Sequence, residues 1–215
     1  MIKAIIFDMD GVLLDTREAN IVFFQREMER SGYGKIPRKL AAKGHTITMM
    51  DSVRLFTGER SEKRVKEIWQ EWVSNAEDLY PSELVAVPSH VKYVLERLSK
   101  KYKTAIVTGR IRRWIGEFFK HANIKDSFDA LVGFEDYKKP KPDPEPLLVA
   151  AKRLRVASNE CIYVGDSKVD ELAARAAGMK FIMYHGFSKT RTADHVSKAN
   201  DFKDLLKIIE MMSKA

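Results

Sequence analysis

The run Ala4-Ile5-Ile6-Phe7-Asp8-Met9-Asp10-Gly11 constrains this chain more than any other stretch. A short apolar run that stops abruptly at two acids and a glycine is the pattern of a strand buried in a parallel sheet, delivering carboxylates at its C-terminal tip. Acids two residues apart on an extended chain project to the same side, where their repulsion raises one pKa unless a cation lies between them. A divalent metal is the natural third party. Gly11 permits the sharp turn that follows the acids. Taken alone, Asp8 and Asp10 read first as turn formers, so their meaning depends on what the remaining chain brings to them.

Composition bounds the partners. With 45% hydrophobic and 32% charged residues over 215 positions, the chain has the balance of a globular protein and enough length for a sizeable core with a modest insertion. It runs straight into the first strand, with no signal-type segment and no apolar run of bilayer length, so no membrane partner is expected. The single cysteine, Cys161, allows no internal disulfide and points to a reducing, cytoplasmic location. The net charge of +8 comes from residues 86–215, dispersed over helices and loops without an arginine-rich run or a nucleic-acid motif. It reads first as a solvated lysine-rich surface and second as one that attracts small anionic substrates, and no nucleic-acid partner is expected.

Residues 17–85 show no convincing strand. Ala19, Val22, Phe23, Arg26 and residues 28–30 read as one helix with an aromatic face, stopped by Ser31-Gly32-Tyr33-Gly34. Shorter helical stretches follow at 38–43 and 48–56. Ser61 then reads as the N-cap of an amphipathic helix with Val65, Ile68, Trp69, Trp72 and Val73 on one face. The segment is expected to be a small all-helical domain (17–85) inserted between core segments 1–16 and 86–215. Its aromatics are expected to form its own core, and His45 to take a surface or capping role.

From Val87 the chain alternates. A helix opened by Pro88-Ser89 leads to a strand at 103–107 that ends at Thr108-Gly109-Arg110. A helix with Trp114, Ile115, Phe118 and Phe119 on its apolar side precedes a strand at 130–134. A proline-rich loop (139–146) enters a helix at 147–154. A strand at 161–164 ends at Gly165-Asp166-Ser167-Lys168-Val169-Asp170, then a helix at 171–177 stops at Gly178. A fifth strand at 180–184 and a closing helix at 202–212 complete the chain. This β-α alternation predicts an α/β fold, a three-layer Rossmann-like parallel sheet with the helical insertion. Ligands in such sheets bind past the C-terminal strand ends. That rule gathers Asp8, Asp10, Thr108 and Asp166, with a lysine from the proline loop, at one edge.

Carboxylates around Mg²⁺, with a lysine, a hydroxyl and backbone donors, suit the stabilisation of a transferring phosphoryl group. No Ser-His or Cys-His pairing marks another nucleophile, which leaves an aspartate forming an aspartyl-phosphate. Asp8-Met9-Asp10-Gly11-Val12, Ile106-Val107-Thr108-Gly109, the Lys-Pro-x-Pro loop and residues 164–170, in this order, resemble the haloacid dehalogenase superfamily. The similarity is greatest to its phosphoglycolate-phosphatase-like members with a helical cap. It implies Asp8 as nucleophile and Asp10 as general acid and base. Mg²⁺ would be held by Asp8, the Asp10 main-chain carbonyl and Asp166, with Asp170 supporting. Thr108 and Gly109 would bind phosphoryl oxygens, with a lysine pairing Asp8 and phosphate. Lys139 and Lys141 each begin a Lys-Pro-x-Pro, and the spacing to the following helix favours Lys141.

The expected activity is hydrolysis of a small phosphorylated substrate, phosphoglycolate leading, by a monomer or homodimer whose cap closes over the site. Phosphomutase, inorganic pyrophosphatase and a non-catalytic phosphate-binding or regulatory role are the alternatives. Asn20 stands where the mutase branch usually has histidine, and Asp10 argues against a dehalogenase. A receiver-type signalling domain would take its acids from different strands and lack the insertion. Arg110, Arg112 and Arg113, opening a helix against its dipole, read either as binders of a substrate anion or as exposed arginines.

Overall fold

The computed structural model describes residues 1–121, 128–187 and 196–214, without the side chains of 117, 118 and 121. The side chain of Phe118, expected on an apolar helix face, therefore lies outside what the structure describes. By its contacts the chain divides into two compact units, Thr16–Ala86 and the pair of segments Met1–Asp15 and Val87–Ala215. Among the described residues no helix is long and apolar enough to cross a membrane.

The Thr16–Ala86 unit is built from α1 (Arg17–Arg30), α2 (Arg38–Gly44), α3 (Met49–Thr57) and α4 (Glu62–Leu79). Two of these helices start where their side chains cap them. The Thr48 hydroxyl accepts from the Asp51 N–H and that of Ser61 accepts from the Arg64 N–H, each satisfying a backbone donor that a helix leaves open. Between the helices Phe23, Phe24, Phe56, Trp72 and Tyr80 form a chain of ring contacts with centroids 5.2–6.3 Å apart. The α1 stripe differs from the expected one. Ile21, Phe24 and Glu27 are buried with Ala19, Phe23 and Met28, while Val22 is half-buried and Arg26 exposed, and Phe24 packs against Phe56 and Trp72. Glu27 goes inside as a consequence.

The other unit holds β1 (Ala4–Phe7), β2 (Lys103–Val107), β3 (Ala130–Val132), β4 (Cys161–Gly165), β5 (Lys180–Tyr184) and β6 (Ser197–Ala199). They form one sheet in the order β3-β2-β1-β4-β5-β6, parallel throughout. Its helices are α5 (Val91–Leu98), α6 (Arg112–His121), α7 (Glu145–Leu154), α8 (Lys168–Ala176) and α9 (Phe202–Lys214). On one sheet face Ala4, Ile6, Ala105, Val107, Cys161 and Tyr163 pack with the apolar sides of α7 and α8. Ile5 and Phe7, pointing to the opposite face by the two-residue period, are also 0% exposed. Both faces are covered, which is why β1 tolerates no polar residue before Asp8.

Several boundaries depart from the sequence reading. The sixth strand, Ser-Lys-Ala, carries no apolar signal of its own and pairs only because β5 offers an edge. The strand expected over 130–134 ends at Val132, where the Gly133 N–H donates to Asp136 Oδ2 (2.9 Å) and opens a tight turn instead. The helix expected from Pro88-Ser89 begins at Val91, after His90 adopts a positive φ of 67°. The helix expected from Glu171 begins at Lys168, because Ser167 and Asp170 cap one another reciprocally. That last shift moves Asp170 into the first turn of α8 and fixes its carboxylate.

Candidate active site

The tips of β1 and β4 meet where the sheet is deepest. The Asp8 N–H donates to the Val164 carbonyl (2.8 Å), extending the β1–β4 ladder by one residue. This sets Asp8 beside Gly165 and Asp166. One Asp8 oxygen, Oδ1, accepts from the Met9 N–H (2.7 Å); the other, Oδ2, faces Lys141 Nζ at 2.9 Å. The same ammonium lies 2.7 Å from Asp170 Oδ1 and donates to the Tyr163 hydroxyl (2.9 Å), which itself lies 2.9 Å from Asp170 Oδ1. Asp8, Asp166 and Asp170 each place a carboxylate oxygen within 4.8 Å of the others. Two glycines make the room. A Cβ on Gly11 (φ 78°) would come within 2.2 Å of Asp166 Oδ2, and one on Gly165 within 2.4 Å of the Asp170 Cβ.

Burial of this many charges shifts them apart. Loss of solvent pushes the Asp8 carboxyl well above the usual range; Lys141 opposes this, and Asp170, Asp166 and Asp10 add to it. Burial likewise pushes Asp166 up to about 7, with Asp170 contributing. For Asp170 burial acts upward too, but the Lys141 charge and hydrogen bonds from Lys141, Ser167 and Tyr163 outweigh it and hold the group below its ordinary value. Lys141 stays an ammonium, since Asp170 and Asp8 more than offset its own desolvation. Burial followed by the nearby Asp170 and Asp8 charges keeps the Tyr163 phenol protonated, able to donate. A cation placed between Asp8 and Asp166 would offset this crowding.

Asp10 is held differently. Its carboxylate is gripped by Arg110, with Nε 3.0 Å and 2.9 Å from Oδ1 and Oδ2 and Nη2 2.8 Å from Oδ1. Thr108, fully buried, continues β2: its N–H donates to the Val132 carbonyl (3.0 Å) and its Oγ1 accepts from the Arg110 N–H (3.2 Å). Gly109 follows with open space where a side chain would be. Of the two candidate lysines, Lys141 is at the carboxylates, while the Lys139 side chain is 75% exposed and lies 4.0 Å from Asp143. In the helical unit Asn20 Nδ2 contacts His45 Nδ1 at 2.9 Å and Asn20 Oδ1 accepts from the Tyr80 hydroxyl (3.1 Å), so His45 takes a side-chain partner.

The donor set suits a hard divalent ion. It is all oxygen, its acids crowd one another, and the four carboxylates of Asp8, Asp10, Asp166 and Asp170 against Lys141 and Arg110 leave two formal negative charges. A model of the haloacid dehalogenase-like hydrolases matches residues 5–184, from β1 to the end of β5. The chain belongs to this family. A pyrophosphatase PpaX from Bacillus velezensis is 33% identical over 180 residues, 83% of this chain and 81% of that one. A phosphoglycolate phosphatase from Nitrosospira multiformis is 28% identical over 197 residues, 88% and 86% of the two chains. The crystal structure of a HAD-superfamily hydrolase of subfamily IA from Geobacter sulfurreducens superposes with a TM-score of 0.69 at 26% identity, covering 97% of this chain and 96% of that one.

Within this haloacid dehalogenase-like site, three features escaped the sequence reading. Tyr163 was expected only as part of a strand, yet its hydroxyl joins Lys141 to Asp170. A phenol in an otherwise apolar buried strand, three residues before Asp166, is the available signal, because a buried hydroxyl must find a partner. Ser167 was passed over as the cap that orients Asp170. Arg110 was singled out, but not its pairing with Asp10, which lies a hundred residues earlier and has no local signature.

Proposed function

We propose that this hydrolase is a Mg²⁺-dependent phosphatase of small soluble phosphate monoesters, working through a phosphoaspartate on Asp8, with phosphoglycolate the leading substrate. The observation that carries the reading is the placement of Asp8 at a strand tip, 2.9 Å from Lys141 and grouped with Asp166 and Asp170. Mg²⁺ would be held by Asp8, Asp166 and the Asp10 main-chain carbonyl, with Asp170 in support, and when bound it supplies positive charge to the phosphoryl oxygens.

The chain's own groups divide the work. Lys141, kept cationic, neutralises charge beside Asp8 and the transferring oxygens, while Thr108 and the Gly109 N–H donate to those oxygens. The Thr108 oxygen already accepts from Arg110, so its own proton is the one left to donate. An Asp8 oxygen attacks phosphorus as the bond to the leaving oxygen breaks, and the Asp10 carboxyl delivers a proton to that oxygen. In the second half Asp10 takes a proton from water, the water oxygen attacks phosphorus, and the bond to Asp8 breaks to release inorganic phosphate.

The test is phosphate release from phosphoglycolate, sugar phosphates, nucleotides and pyrophosphate, with and without Mg²⁺, beside Asp8→Asn. Release is expected to require Mg²⁺ and to fall by about 10⁴-fold or more in the variant, with an unchanged circular dichroism spectrum. Near wild-type release by Asp8→Asn overturns the phosphoaspartate.

A further inference from the structure

Lys141 and Arg110 both reach carboxylates of this site, and they are held differently. Lys141 sits among Asp8, Asp170 and the Tyr163 hydroxyl, its side chain 13% exposed. Arg110 sits on Asp10, with the two side chains 18% and 27% exposed. Its backbone is anchored on both sides, since the N–H donates to Thr108 Oγ1 (3.2 Å) and the carbonyl accepts from the Phe134 N–H (2.8 Å). The pairing is unlike the structural arginine cluster of the same unit, where Asp136, 7% exposed, is gripped by Arg153 and Arg112 and also accepts from the Gly133 N–H.

We infer that Arg110 is a substrate-binding residue that recognises a second anionic group on the leaving side of the substrate, and that Asp10 occupies its place in the unliganded site. The inference rests on the phosphatase reading, which assigns to Asp10 the proton of the leaving oxygen. Whatever is attached to that oxygen must then lie near Asp10, and so near Arg110. A planar guanidinium carries five N–H donors in a fork that fits a carboxylate or phosphate edge-on. A substrate anion close to the scissile oxygen draws the guanidinium off Asp10, and that carboxyl, taking a proton from solvent, is left facing the bridging oxygen. The favoured class is therefore an ester or anhydride whose leaving group carries its own negative charge within a bond or two of that oxygen. Carboxymethyl phosphate (phosphoglycolate) and inorganic pyrophosphate both satisfy this; hydroxyethyl phosphate, of similar length, does not.

The experiment measures kcat/KM of the wild-type protein with Mg²⁺ on phosphoglycolate and on hydroxyethyl phosphate, then repeats both with Arg110→Gln and Arg110→Lys. The wild type is expected to prefer phosphoglycolate by about 10–100-fold, the value of a charge-assisted pair. Arg110→Gln should abolish most of that preference, mainly through KM, and Arg110→Lys should restore part of it. Both esters can also lose some turnover in the variants as Asp10 loses its grip, so the ratio is the readout. A wild type that treats the two esters alike, or a ratio that Arg110→Gln leaves intact, overturns the inference while the hydrolase reading stands. No release from either ester or from pyrophosphate defeats the phosphatase reading and this inference with it.

Discussion

Among the described residues, the sheet unit buries Asp8 and Asp170 against Lys141, each within 2.9 Å of the opposite charge, whereas the helical unit buries Glu27 with only neutral donors. The Asn75 amide donates to Glu27 Oε1 (2.8 Å), the Ser31 hydroxyl lies 3.3 Å from the same oxygen, and Oε2 has no hydrogen-bond partner. Burial therefore pushes the Glu27 carboxyl up, with Asn75 and Ser31 opposing. Trp72, fully buried in the same unit, also leaves its Nε1 without a partner. One unit is organised by charges that answer one another at strand ends. The other is organised by ring packing, and its polar atoms accommodate themselves to it. Desolvation is tolerated at high charge density where a counter-charge is built in, and at low density where apolar burial outweighs one strained group.

The contrast breaks most severely at Lys141. Lys141→Met strands Asp8 and Asp170 as like charges, so stability should fall by about 3–5 kcal/mol without Mg²⁺, and turnover with Mg²⁺ by about 10²–10³-fold or more. Chemical denaturation and phosphate release check the two losses. An unchanged denaturation midpoint would show that the charges of the sheet unit are not held by one another.

Trp72→Ala tests the other half. Removing the ring between Phe24 and Phe56 should cost about 3–5 kcal/mol, and amide exchange should locate the loss in residues 16–86 rather than in the sheet. Protection lost equally in both units would refute a packing-based helical unit.

Asp136→Asn and Glu27→Gln sharpen the comparison through opposite responses to pH. Hydrogen bonding from Arg153, with the Gly133 N–H and the Arg153 and Arg112 charges, holds the Asp136 carboxyl below its ordinary value. A depressed carboxyl contributes stability above its unfolded pKa of 3.8 that is lost as pH falls through the folded value. Asp136→Asn should thus cost about 1.5–3 kcal/mol at neutral pH, with the gap closing in acid. Glu27 has the reverse sign. Its raised carboxyl favours the fold below the unfolded pKa of 4.5, and that contribution disappears as pH rises through the folded value. Glu27→Gln, which keeps an acceptor for Asn75 and Ser31, should stabilise the protein by about 1 kcal/mol at pH 8 and by little near pH 4. Thermal melts of both variants at the two pH values check the signs; melts that shift in parallel would contradict them.

Much of this was legible in the chain. The apolar run ahead of Asp8 marked β1 because a strand covered on both faces admits nothing polar until its tip. Ser61 marked the start of α4 because a hydroxyl there satisfies an open N–H. Strand edges composed of Ser197-Lys198-Ala199 were not legible, since their pairing is supplied by β5 and not by their own side chains. Nor was the inward turn of Glu27, which follows from Phe24 seeking Phe56 and Trp72 across two other helices.

The same division runs through the site. Sequence by itself determined which residues reach the sheet edge, because two-residue and helical periodicities and the glycines after strands are local properties of the backbone. Tertiary structure alone decided who meets whom: Lys141 with Asp8, Asp170 and Tyr163, and Arg110 with Asp10 across a hundred residues. Those pairings depend on strand order and register, which bring β1, β2 and β4 side by side, and on the desolvation that makes an unanswered charge at their tips too costly to leave alone.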